Sequence, residues 1–151
     1  MFFRNTSRYP TDEILSLVEF ATSEVDMDLV CVNIKNSRSR AYSGYAYLGV
    51  PEISSAPPES EYLITIQLGP PELFPIVPDR RRGAPRIEVS CWREALVTVA
   101  AHEANHIDQY RRGLSRSEVA CERVDAGMLE RYREERALAL PRPHEQMALF
   151  A

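Results

Sequence analysis

Apolar residues recur along the chain with two different periods, and each change of period marks an element. Ile14, Leu15, Leu17, Val18 and Ala21 fall on one helical stripe, so a helix is predicted over about 12–24. Thr11 is a suitable N-cap, with Asp12 and Glu13 in the favourable first turn. The ten residues before it read as an extended arm ending at Tyr9-Pro10. Leu29 to Ile34, apolar but for Asn33, reads as a buried strand. Asn36 to Arg40 is a polar turn, and Tyr42 to Val50 alternates small with aromatic residues as a second strand. Pro51 to Glu59 is a loop by its prolines and serines. Glu61 to Leu68 is the clearest strand in the chain, closed by Gly69-Pro70.

Pro70 to Pro85 is long, irregular and holds five of the 11 prolines. Its Leu73, Phe74, Ile76 and Val77 are too apolar to hang in solvent, which places it against a cleft as a wall or lid. Arg86 to Ser90 reads as a short strand. The helical period then returns with Leu96, Val99, Ala100, Ala104 and Ile107, Ser90 standing as N-cap and Gly113 as the terminating glycine. Ser115 or Ser117 caps a last helix that runs to about Leu140, where Pro141 and Pro143 stop it. The pattern predicts an α+β fold: an N-terminal helix, a small mixed sheet, a central helix and an antiparallel C-terminal helix. One domain is expected over 1–140, followed by a tail over 141–151.

Composition narrows the function only by exclusion. A net charge of −4 gives no global reason to expect nucleic-acid or membrane binding. Of the 18 basic residues only Lys35 is lysine, and the clusters at Arg80-Arg81-Arg82, Arg111-Arg112 and Arg131/Arg133 read as solvated faces. Cys31, Cys91 and Cys121 are odd in number, distant and each set in an apolar stretch, so buried thiols are expected rather than disulfides or a zinc ribbon. No signal segment or membrane-length span is evident, and a cytoplasmic protein is expected.

The chemistry sits in the central helix as His102-Glu103-Ala104-Asn105-His106. Residues four apart stand one turn above the other, so both imidazoles can reach one ion. Glu103 is then placed to act as general base on a metal-bound water. Ordinary residue usage produces this pentapeptide by accident in roughly one chain in a few hundred of this length. A catalytic zinc takes a third protein ligand, and Glu118, Glu122 and Asp125 share one face of the return helix. Counting rise from a tight turn sets Glu122 level with His106. Glu122 is therefore the expected ligand, with Glu118 and Asp125 as rivals, and Asp125 is expected to hold a histidine N–H. Tyr110 is assigned to the core.

These residues resemble the zincin metallopeptidases, in particular the small gluzincin-like forms common in bacteriophage and actinobacterial genomes, and more distantly SprT-type and ImmA-type proteins. The resemblance covers roughly 86–138. It implies zinc as cofactor, peptide-bond hydrolysis of a protein or peptide substrate, and an edge strand that aligns the substrate by main-chain pairing. The alternative is a binding module that keeps the zincin fold with an inactive or structural metal.

Beyond Pro143, Gln146-Met147-Ala148-Leu149-Phe150 resembles the short peptide by which bacterial replication and repair proteins dock on the DNA sliding clamp. Gln146 would bond a pocket rim while Leu149 and Phe150 fill an apolar cleft. That partner would bring the domain to DNA without direct nucleic-acid binding, an arrangement similar to that of Spartan-type proteases.

Overall fold

The computed structural model describes residues 1–52 and 54–139. The tail with Gln146, Leu149 and Phe150 lies outside them. The described chain is α+β, with three helices and a four-stranded mixed sheet. Strands β1 (Phe2–Asn5), β2 (Val30–Asn36), β3 (Tyr42–Tyr47) and β4 (Tyr62–Leu68) stand in the order β1-β2-β4-β3. The first three in that order are parallel, and β3 runs antiparallel at one edge.

Residues 1–10 are extended as expected, but Phe2 to Asn5 pairs with Cys31 to Ile34 and so becomes the other edge of the sheet. Four residues carry too short a pattern to reveal a strand when their partner lies a helix away. That helix, α1 (Thr11–Ala21), ends three residues before the expected limit, and Pro10 rather than Thr11 stands at its cap. The Thr11 hydroxyl accepts from Asn5 Nδ2 instead. Arg86 to Ser90 forms no strand; Ile76 and Val89 make a single antiparallel bridge. The prolines on both sides leave too few amide donors for a ladder.

One face of the sheet presents Val30, Val32, Ile34, Ile64, Ile66 and Leu68, all fully buried. Against it lie Ile14 and Val18 of α1 and Leu96, Val99, Ala100 and Ile107 of α2 (Trp92–Arg111), which are the residues of the predicted stripes. Helix α2 ends in a Schellman motif: Gly113 has φ +67°, its N–H bonds Tyr110 O at 3.1 Å, and Leu114 N–H bonds Gln109 O at 2.9 Å. Ser117 caps α3 (Glu118–Ala139) by accepting the Ala120 N–H at 3.1 Å. Helix α3 returns antiparallel along α2, with Glu118 beside His106 at one end and Arg133 beside Glu94 at the other. Tyr110 is not core; it is 55 % exposed, standing in the last turn of α2 with its ring edge-on to Tyr62 at the start of β4.

Candidate metal centre

Helix α2 carries both histidines toward α3, His106 buried and His102 nearly so. Each ring has one nitrogen held by a neighbour and the other aimed at the same carboxylate. His102 Nδ1 lies 2.9 Å from Asp125 Oδ2, and His102 Nε2 lies 2.9 Å from Glu118 Oε2. His106 Nδ1 lies 3.3 Å from Gln109 Oε1, and His106 Nε2 lies 3.2 Å from Glu118 Oε1. Asp125 and Gln109 present acceptor oxygens to the two Nδ1 atoms, so each Nδ1 can carry a hydrogen, and both Nε2 atoms face Glu118. Donors bound to one tetrahedral zinc at about 2.0–2.1 Å sit about 3.3 Å apart. The Nε2–Glu118 separations are close to that edge length.

The structure does not bring Glu122, the expected ligand, to the histidines. Its Oε2 accepts the Arg81 N–H at 2.9 Å, and its carbonyl accepts Arg80 Nη1 at 2.8 Å. The reason is the path between the helices. Residues 114–117 are not helical but run back along α2, and Ser117 is clamped level with Gln109 by two bonds of 3.2 and 3.3 Å. The first residue of α3, Glu118, therefore already stands beside His106, and Glu122 lies one turn too far on. Asp125 occupies the outer position expected of it, on His102 Nδ1.

Cys121 is the feature that the spacing concealed. Its Sγ is fully buried, lies 3.4 Å from His106 Nδ1 and accepts from Asn105 Nδ2 at 3.3 Å. Candidate donor atoms of His102, His106 and Cys121 all lie within 4.8 Å of one another, so this group can hold a metal ion. Cys121 shares a helix face with Glu118 and Asp125 at i+3 and i−4, which was the available signal. Burial pushes its thiol up to about 11.

Electrostatics separates the roles. Burial first, then the cation of Arg116 and the neighbouring His102, hold His106 below its ordinary pKa against the pull of Glu118, which keeps it a neutral donor. His102 is pushed up: Asp125, Glu103 and Glu118 together outweigh the opposing burial. Glu118 is also buried in part, but the two histidines bring it below the usual carboxylate range. Glu103 is 6 % exposed, and burial pushes it up to about 7, with His102 the main opposing influence. A carboxyl poised there exchanges protons near neutrality.

Beside these groups opens a cleft of about 610 Å³. Thr98, Val99, His102 and Glu103 of α2 form its floor, Tyr42 and Gly44 of β3 one wall, and Ile76, Pro78 and Arg80 the other. The proline-rich segment thus forms a wall of the cleft, but of its four apolar residues only Ile76 lines it, and Leu73 and Val77 are exposed. At Gly44 the strand comes so close to α2 that a Cβ would lie 2.4 Å from Val99 Cγ2 and 3.0 Å from Glu103 Cγ. Only glycine permits that approach. Arg80 is not part of a solvated face: its side chain is 8 % exposed and lies 2.7 Å from Asp125 Oδ1. Arg111 likewise donates to the carbonyls of Asp26 and Asp28, the latter at 2.5 Å.

Compared with family models, curated proteins and solved structures, the chain matches none. Among the described residues no helix is long and apolar enough to cross a membrane.

Proposed function

We propose that the protein is a zinc-dependent peptidase of zincin type, with His102, His106 and Glu118 as ligands and Glu103 as general base. The observation that carries this reading is the convergence of two imidazole Nε2 atoms on one carboxylate at 2.9 and 3.2 Å, beside a buried glutamate and an open cleft. Zinc held by these three residues would supply Lewis acidity at the mouth of the cleft. Glu103 takes the proton from the attacking water at its carboxylate and delivers it to the leaving amine, as its raised pKa suits. Asp125 and Gln109 hold the two rings in the orientation that leaves Nε2 free.

The edge of β3 suits an extended peptide. Gly69 N–H bonds Ala41 O, and by antiparallel alternation residues 43, 45 and 47 bond β4 while Tyr42 and Gly44 turn their main-chain groups outward, toward the cleft. A substrate strand added there lies beside Glu103. The substrate class is accordingly a protein segment in extended form.

Cys121 supports a second reading, in which it joins the other three as a fourth ligand and closes a structural site in a binding module. Elemental analysis and a peptidase assay separate the two. The enzyme reading expects about one zinc per chain and hydrolysis that falls 10²–10⁴-fold in Glu103→Gln with zinc retained. Zinc with no hydrolysis in wild type supports the module; no zinc in wild type sinks both. Delivery to the sliding clamp through Gln146, Leu149 and Phe150 belongs to this proposal too, and Gln146→Ala with Phe150→Ala tests it by loss of clamp binding at unchanged zinc content.

A further inference from the structure

Asp125 holds His102, and something must in turn hold Asp125. Its carboxylate is 2 % exposed, with Oδ2 on His102 Nδ1. Oδ1 lies 2.7 Å from Arg80 Nη1, an ion-pair contact rather than an aligned hydrogen bond. Among the described residues Oδ1 has no hydrogen-bond partner, and a buried carboxylate is costly without a counter-charge. Arg80 comes from the irregular cleft wall, yet it is among the better-fixed groups of the region. The same Nη1 donates to Glu122 O, the next residue's N–H bonds Glu122 Oε2, and Arg123 Nη2 reaches Gly83 O at 3.4 Å. The Tyr42 phenol of β3 lies beside it.

We infer that Arg80 is a positioning residue of the metal site, acting through Asp125 on His102, with Glu122 as the anchor that seats its loop on α3. Arg80 occupies one carboxylate oxygen, so the other is committed to Nδ1–H and His102 Nε2 stays aimed at Glu118. It also gives Glu122 a role that is not ligation. Because Arg80 lines the cleft as well, the substrate-binding wall and the metal site share one residue and are expected to order together. This inference rests on the proposed ligand set.

The test is zinc affinity, measured by competition with a chromophoric chelator, in R80Q, D125N, the double variant and E122Q. R80Q and D125N should each weaken zinc about 10-fold or more, the range seen for groups that orient ligands. The double variant should be no weaker than D125N alone within about twofold, since Arg80 acts through Asp125. E122Q should stay within about threefold of wild type. Wild-type affinity in R80Q, or losses that multiply in the double variant, would overturn the inference alone. A tenfold loss in E122Q would overturn its anchoring role and restore it as a ligand. Absence of zinc from the wild type would overturn the ligand set and this inference with it. Should R80Q fail to fold, R80M keeps the buried length of the side chain without the charge and carries the same cycle.

Discussion

Helices α2 and α3 are joined by polar clusters at both ends, and the two are built on opposite plans. At the far end Glu94 takes Arg133 Nε at 3.0 Å and Nη2 at 2.7 Å on separate oxygens, plus the Ser90 N–H at 2.9 Å. The carboxylate and the guanidinium match in charge and meet in a fork, so the cluster closes on itself. At the near end Glu118 faces two imidazoles, Glu103 is buried with no cation in contact among the described residues, and a cleft opens beside them. The far cluster pairs its charges with each other, whereas the near one leaves two imidazoles converging on one carboxylate.

On the proposed ligand set, the largest effect belongs to Glu118. E118Q should cost more than about 100-fold in zinc affinity, beyond the loss typical of groups outside the ligand set, while C121S keeps zinc near the wild-type level. The reverse result in a chelator competition would make Cys121 the third ligand. Gly44→Ala comes next: the added methyl meets Val99 Cγ2 and displaces Glu103, so up to about 3 kcal/mol of stability should be lost, read by urea unfolding. An unchanged midpoint would mean that the strand and helix do not need their close approach.

At the closed end, E94Q should cost about 2 kcal/mol, the range for hydrogen bonds to a charged group. Glu94 is drawn down by Arg133 and Ser90 against the larger single effect of burial. A carboxylate lowered on folding stabilises above its unfolded pKa of about 4.3, and that contribution fades as pH falls through the lower folded value. The stability gap between wild type and E94Q should therefore be flat above about pH 5 and shrink below it. A gap that widens in acid would refute the assignment. The smallest effect belongs to Arg116, whose Nε is 3.6 Å from Glu118 Oε1 with both side chains more than a third exposed. R116Q should change melting by less than about 0.5 kcal/mol equivalent, and a larger shift would place Arg116 among the site's working groups.

How far each part was legible follows from what its signal depends on. Helix α2 announced itself because a buried helix repeats its apolar positions every three to four residues, and the two histidines are four apart on one turn. The same holds for β2, β4 and the two caps at Gly113 and Ser117, where local chemistry decides local geometry. Asp125 could be assigned to a histidine because it shares a face with Glu118 on an antiparallel neighbour. The choice between Glu118 and Glu122 could not be made this way: it turned on four non-helical residues that double back along α2, a path set by Gln109 bonding Ser117. Arg80 was hidden for a related reason, since three consecutive arginines look solvated until the loop that carries them is seated on α3. What the chain determined alone was the two long helices' apolar faces, the central strands and the caps at Gly113 and Ser117, all set by periodicity and by neighbours within a turn or two. Tertiary structure decided which distant carboxylates and thiol meet the histidines and which guanidinium meets Asp125, because those contacts span 15 to 45 residues and depend on where whole elements come to rest.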